Sequence, residues 1–549
     1  MKNFYLKPKL FSTMKTYTKE QALKDIIAGI IVAIIALPLS IALALASGVE
    51  PACGVYTAIA AGFVVSFLGG SRVQIAGPTA AFATIVAGIV ALNGMDGLFL
   101  ATIMAGIMLI LMGVFRLGSL IKFIPYTITT GFTAGIAVTI LVGQIKDFLG
   151  LTYADGVKPI ETIEKIEANI GAMSTFSASA LLVGVVCLAI LIIYPKLEKK
   201  IPASLIAVIV GALMVKFIPG LDDGVFTIGE LYTIPQGLPK VDFGGMDLSL
   251  AKIKEVFPDA FTIAILAAIE SLLSCVVADS MVNSKHNSNS ELVAQGVGNI
   301  ASVLFGGIPA TGAIARTAAN AKNGGRTPIA GMVHAVTLLL VLLFLMPYAG
   351  LIPMPAIAAI LFMVAYNMSE WKKFVSTVKT APKSDIIVMV VTFLLTVIFD
   401  LVVAIEVGMI LAAMLFMKRM SEESGVEGWK YEDEDDGIEL KSVPKNVRVY
   451  EISGPMFFGA SDKILDITLK DYTKCLILRM RAVPAIDATA MGSLMMLYKK
   501  CSKNGVELVF SHVNPQPMKV IKKSGLFDKL GEDHFRSHID EALEYASKF

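Results

Sequence analysis

Charge is scarce in this chain of 549 residues: Asp, Glu, Lys and Arg make up 17% of it, against 55% hydrophobic residues and a mean hydropathy of +0.71. A soluble protein of this length has too little interior to hide so much apolar surface, so lipid is the solvent for most of the chain. Cysteine is scarce too. Cys53, Cys187, Cys275, Cys475 and Cys501 are scattered without CxxC or any metal-ligand spacing. That argues against a zinc or redox centre and leaves small buried thiols. There is no Gly-x-x-x-x-Gly-Lys followed by Ser or Thr, which disfavours an ATP-driven pump. The sequence also lacks a catalytic constellation, a cofactor motif and the clustered basic residues that nucleic acid would require. Before the first apolar run lies a polar, Lys-rich stretch without a small-residue cleavage site, which reads as a retained segment rather than a leader.

What the chain has is apolar runs. They follow one another up to Met417, and from Lys418 the composition becomes that of a globular domain with mixed charge. A span needs about 20 apolar residues, fewer if the helix is short or broken. Punctuation by Pro, Gly and charge predicts about fourteen segments. The first set begins near Ile26, Gly54, Ala76, Leu98, Ile121, Phe176 and Ile201, and the second near Pro258, Leu292, Ala313, Pro328, Pro353, Ile386 and Leu401. An even number places both termini on one side. Loops on that side carry Arg116, Lys122, Lys196, Lys199, Lys200, Lys285, Lys322, Arg326 and Lys372, whereas the short opposite loops such as 47–53 and 93–97 carry neither Lys nor Arg. By the positive-inside rule the termini are cytoplasmic.

The predicted organisation is a cytoplasmic N-terminal segment (1–24), a transmembrane domain (25–417), an acidic linker (418–446) and a small α/β domain (447–549). The transmembrane domain divides into repeats at 25–217 and 258–417. In the tail, 447–452, 475–480 and 506–510 read as strands, and 490–502 and 539–547 as helices. The fold class expected is therefore membrane all-α with a small cytoplasmic α/β domain.

Two segments open oddly. Arg72-Val-Gln-Ile-Ala-Gly77-Pro78-Thr79-Ala80-Ala81 and Ile308-Pro-Ala-Thr-Gly312-Ala-Ile-Ala-Arg316-Thr317-Ala318 each start with an extended stretch, after Phe67-Leu-Gly-Gly70 and Leu304-Phe-Gly-Gly307. Thr79-Ala-Ala matches Thr317-Ala-Ala if one residue is inserted. The motif recurs at the third segment of each seven-segment half, and seven is odd, so the halves are inverted. Transporters built this way bring broken helices together at the bilayer midplane.

A helix start at membrane depth offers an anion N–H groups without intrahelical partners and the positive end of a dipole. Pro78 suits a first helical turn, Gly77 and Gly312 allow close backbone approach, Thr79 adds a hydroxyl, and Arg316 adds a fixed cation. Kinked core helices are the plainer alternative. Glu270, inside the eighth segment with Ser274 one turn below, is costly in lipid. It reads as a proton carrier, a ligand for a coupling cation, or a structural carboxyl paired with Arg316 or a backbone N–H.

The run Lys285-His286-Asn-Ser-Asn289 through Gln295, then Phe305-Gly-Gly-Ile-Pro-Ala-Thr-Gly-Ala-Ile-Ala-Arg316-Thr-Ala-Ala-Asn320 and Asn323-Gly-Gly-Arg326-Thr-Pro, strongly resembles the SulP (sulfate permease) family, relatives of solute carrier family 26. Phe123-Ile-Pro-Tyr126 and Asp400-Leu-Val-Val-Ala-Ile-Glu406 resemble it too, and the likeness covers nearly the whole chain. It implies a seven-plus-seven inverted repeat with a core domain moving against a gate domain, a cytoplasmic STAS domain, and a homodimer in the inner membrane. Carried over by motif, Gly77, Thr79, Ala80, Gly312, Ala313, Ile314, Ala315 and Arg316 hold the anion, and Glu270 with Ser274 takes the coupling ion. Sodium-coupled bicarbonate members carry Asp and Thr at that pair and Thr in place of Ile314, a departure that puts proton coupling ahead of sodium. Asp487-Ala-Thr489-Ala-Met-Gly492 resembles the STAS loop where anti-sigma-factor antagonists are phosphorylated. Thr489 is thus a candidate regulatory phosphosite facing a cytoplasmic partner, with a plain helix cap as the alternative.

The resemblance therefore implies a secondary active transporter, elevator-like and coupled to a proton or sodium. Sulfate, bicarbonate, chloride and dicarboxylate all remain open as substrate. The rival readings are an uncoupled anion channel of the same fold, a membrane-anchored sensor with STAS output, and a nucleobase permease, which the STAS tail argues against.

Overall fold

The computed structural model describes residues 6–119, 125–157, 159–198, 201–221, 223–233, 249–399, 401–428 and 443–549. Lys122, Phe123, Lys199, Lys200, Asp400 and the acidic run 432–436 lie outside them. The chain forms two compact units, residues 1–409 and 410–549.

In the first unit, helices carry nearly every apolar run, because a backbone in lipid must satisfy its own polar groups. They are α1 (Lys19–Ala46), α2 (Pro51–Leu68), α3 (Ala80–Val114), α4 (Tyr126–Leu149), α5 (Ala178–Leu197), α6 (Ala203–Phe217), α7 (Leu250–Val282), α8 (Ser288–Leu304), α9 (Ile314–Lys322), α10 (Ile329–Phe344), α11 (Met354–Ser369), α12 (Lys383–Ile398) and α13 (Leu401–Glu423), the last running into the second unit. Gly94, at φ 68°, breaks α3 in two, which brings the segments to fourteen. Among the described residues, six of the helices are long and apolar enough to cross a membrane on length and composition alone. Short helices cover the connections.

Sequence punctuation misplaced two starts. Pro258 lies inside α7, which begins at Leu250, because a proline within a membrane helix costs only local bonds that neighbours can replace. Pro78 lies ahead of α3 instead of in its first turn: Thr79 is the N-cap and Ala80 the first helical residue.

Packing sorts the helices into two groups. α1, α2, α3, α7, α8, α9 and α10 contact one another, as do α4, α5, α6, α11 and α12. Between α3 and α9, at the heart of the first group, two short strands, β1 (Ala76–Gly77) and β2 (Thr311–Gly312), pair antiparallel.

The second unit is a five-stranded sheet in the order β3 (Gly425–Gly428), β4 (Val447–Ser453), β5 (Cys475–Ala482), β6 (Glu507–Ser511) and β7 (Phe535–Arg536). Only β3 is antiparallel to its neighbour. Residues 425–428 therefore form an edge strand although they read as linker. A parallel sheet is covered on both faces. Leu476 and Leu478 point toward Leu494 and Leu497 of α14 (Ala488–Lys503), while Cys475 and Ile477 alternate toward Ala542 and Ala546 of α15 (Ile539–Ala546).

Candidate functional site

The site is built where the two extended stretches cross. Ala76 pairs with Gly312 and Gly77 with Thr311, and the Ala313 N–H donates to Ile75 O at 2.8 Å. Both glycines are required by closeness: a Cβ on Gly312 would lie 1.7 Å from Gln74 Nε2, and one on Gly77 would lie 2.4 Å from Arg316 Nη1. Proline at 78 has no N–H to extend the ladder. Each strand then runs into a helix, α3 capped at Thr79 and α9 at Ala313, and neither cap residue gives its side chain to the helix. Two helix starts thus flank one short β pair with their first N–H groups free of side-chain caps.

The Thr79 hydroxyl is employed elsewhere. It donates to Glu270 Oε2 of α7 at 2.9 Å, and Thr311 Oγ1 of β2 donates to the same oxygen at 2.9 Å, the two hydroxyls being 3.2 Å apart. One carboxylate oxygen therefore ties together the third segment, the tenth and the eighth.

Ser271, next to Glu270 on α7, and Ser274, one turn along, anchor a second polar web that holds the backbone. Gly312 N donates to Ser271 Oγ (3.0 Å), Gln74 Nε2 to Ser271 O (3.0 Å) and Ser274 Oγ to Gln74 Oε1 (2.9 Å). From α9, Thr317 Oγ1 accepts from Ile75 N at 3.0 Å and Asn320 Nδ2 donates to Val73 O at 3.0 Å. Asn299 of α8 brackets the approach to β2, bonding both Ala310 N and Ala310 O.

Most of the expected residues converge here. Gly77, Gly312 and Ala313 are buried in the crossing, Thr79 and Ala80 are half-buried, and Ile314 and Ala315 present exposed side chains at the start of α9. Arg316 is only 1% exposed; its guanidinium lies behind β1, where Nη2 donates to Pro78 O at 3.3 Å. Among the described residues Arg316 has no ion pair, so it is not the partner of Glu270. Ser274 bonds Gln74 and Thr317 instead of Glu270.

The matching of Thr79 with Thr317 is corrected. By position relative to the helix start, Thr79 corresponds to Ala313, and Thr317 sits a turn inside α9 supporting the opposite strand. Thr311, Gln74 and Ser271 were missed, although a polar residue inside an apolar stretch was signal enough for each.

In the second unit Thr489 is exposed at the start of α14. The cap there is Asp487, whose carboxylate accepts from Ala490 N (2.8 Å) and Phe458 N (2.9 Å).

Comparison with known proteins agrees with this architecture. A model of the sulfate permease family matches residues 23–392 and a STAS domain model matches 440–542. The chain is 42% identical to the putative sulfate transporter YvdB of Bacillus subtilis, over 96% of this chain and 98% of that one. It is 31% identical to the bicarbonate transporter BicA of a Picosynechococcus strain, over 95% and 94%. The murine solute carrier 26 family member A9, in its inward-facing state, superposes with a TM-score of 0.89 over 100% of this chain and 94% of that one, at 18% identity, a likeness of fold. The transmembrane domain of a cyanobacterial BicA superposes at 0.60, with 28% identity, over 72% and 98%.

Proposed function

Because the chain belongs to the sulfate permease family, a family of transporters and not enzymes, and is a multi-pass anion transporter with a C-terminal STAS domain, we propose that it is a secondary active carrier of a small oxyanion bound between the starts of α3 and α9. The observation that carries this reading is the pair of helix starts without side-chain caps on either side of β1–β2, with Thr79, Ala80 and the Ala313–Arg316 turn around them. Uncapped N–H groups and two dipole ends suit a sulfate or bicarbonate, the anions that relatives are named for.

Coupling follows from Glu270. An ionised carboxylate beside the site repels the anion. Two unit charges about 6 Å apart at an effective dielectric of about 20 cost roughly 3 kcal/mol, about a hundredfold in affinity. A proton on Glu270 removes that cost, so proton and anion load together. A sodium ion held by Glu270 would have the same effect, with Thr79 and Thr311 as hydroxyl ligands and Ser274 one turn away. The compact group carrying the site then moves past the α4–α6 and α11–α12 group as an elevator. The protein works as a homodimer in the inner membrane, with both termini cytoplasmic, and the STAS domain takes a cytoplasmic partner under the control of Thr489.

The test is uptake of labelled sulfate and bicarbonate into proteoliposomes under an inward proton gradient, a sodium gradient, or neither. Gradient-driven accumulation that Glu270→Gln uncouples is expected. Uptake indifferent to every cation gradient would point to the uncoupled channel.

A further inference from the structure

Arg316 has more donors than partners. Among the described residues only Nη2 is bonded, at 3.3 Å, while Nε and Nη1 have no partner although the residue is 1% exposed. Buried polar groups are nearly always satisfied, and a buried cation most of all. A second orphan stands beside it. His334 of α10 is fully buried with neither Nδ1 nor Nε2 bonded among the described residues, and it lies close enough to Arg316 for the two to interact electrostatically.

The backbone explains why both groups are there. Ala58 and Gly62 lie one turn apart on one face of α2. A Cβ on Gly77 would sit 2.4 Å from Arg316 Nη1 and 3.5 Å from Ala58 Cα; a Cβ on Gly62 would sit 3.3 Å from Ala76 O and 3.7 Å from His334 Nδ1. The guanidinium and the imidazole thus occupy consecutive steps of the same cleft between α2 and β1. One is a cation with spare donors, and the other is a ring that carries an acceptor nitrogen when neutral.

We propose that His334 is a positioning residue of the anion site: its ring nitrogen accepts from Arg316 through one water and holds the cation against Gly77–Pro78. From there the charge of Arg316 reaches both helix starts without touching the anion. The inference rests on the anion-site reading above and assigns that site its rear support.

The test compares His334→Leu, His334→Phe and His334→Gln in proteoliposome uptake, with melting midpoints as a folding control. Leu and Phe, which lack an acceptor, are expected to raise KM about tenfold with maximal rate changed less than about twofold. Gln, which keeps an acceptor, returns KM to within about threefold of wild type. Using two apolar variants keeps the test decisive if one fails to fold. An unchanged KM in the apolar variants overturns the proposal, as does equal impairment in Gln, Leu and Phe. Arg316→Gln separates the two levels. If its KM is unchanged, the anion-site reading itself fails; if it is raised while the apolar His334 variants match wild type, only the role of His334 falls.

Discussion

Thr79→Val tests the hydroxyl–carboxylate knot most cleanly, because valine keeps the shape and removes one donor. In wild type both Thr79 and Thr311 donate to the same Glu270 oxygen at 2.9 Å. A hydrogen bond to a charged acceptor contributes about 1.5–3 kcal/mol, whereas one to a neutral acceptor contributes about 0.5–1.5 kcal/mol. Thr311 remains to serve the oxygen, so the lower ends apply; the lost bond stabilises the empty, ionised site by about 1 kcal/mol more than the loaded, protonated one, and Thr79→Val should lower KM about fivefold. In a Glu270→Gln background the same change meets an amide that is neutral in both states and should leave KM within about twofold. The coupling between the two positions is then roughly 1 kcal/mol, within the range of residues in direct contact. Initial rates of labelled-anion uptake at several concentrations, for the wild type, both single variants and the double, complete the cycle. The same factor for Thr79→Val in both backgrounds would refute the idea that its hydroxyl acts through Glu270.

Other outcomes follow from neighbouring geometry. Gly312→Ala puts a methyl 1.7 Å from Gln74 Nε2 and 3.2 Å from Ser271 Cα, so Gln74 must leave Ser271; an overpacking cost of about 1–3 kcal/mol should lower both melting midpoint and uptake, and wild-type values would contradict it. Glu291→Ala removes the carboxylate that accepts from Gly70 N, Ser71 N and Gln295 Nε2 in a fully buried position. With each orphaned donor costing about 1–3 kcal/mol, a clear drop in melting midpoint is expected in detergent. Asp487→Ala should destabilise the C-terminal unit by about 1–2 kcal/mol through loss of its helix cap, read from denaturant unfolding of the full chain. Burial pushes Cys475 up to about 12 and Cys501 up to about 11. At pH 8 about one Cys501 in a thousand is then a thiolate, so maleimide labelling should be slow until the protein is unfolded, and fast native labelling would count against that burial.

The fourteen segments were readable because apolar runs in lipid have one structural outcome, and the repeated Gly-Gly and extended motifs marked where the outcome fails. Other features depended on tertiary contact and carried no local signature. Pro258 marks a boundary only when a helix must stop there, and α7 continues through it. Strand 425–428 forms because β4 offers it an edge, which no propensity in Gly425-Val-Glu-Gly428 announces. Thr317 resembles Thr79 in sequence, yet it lies four residues past the cap at Ala313, where it supports the opposite strand. Glu270 was legible as an expensive carboxyl, but its partners Thr79 and Thr311 come from segments 191 and 41 residues away. His334 carries no local signature either, because Gly62 and Ala76 beside it come from distant segments.

The central claim, that the anion sits at the paired helix starts, is tested most directly by protection of a single introduced thiol. Ile314 opens α9 with a side chain 43% exposed, while all five native cysteines are buried. In a transport-competent Ile314→Cys variant, a polar thiol reagent should modify that position, and the transported anion should slow the reaction with half-maximal effect near its uptake KM. A non-transported anion should leave the rate alone. Modification at an unchanged rate in saturating transported anion would place the anion elsewhere and contradict the account.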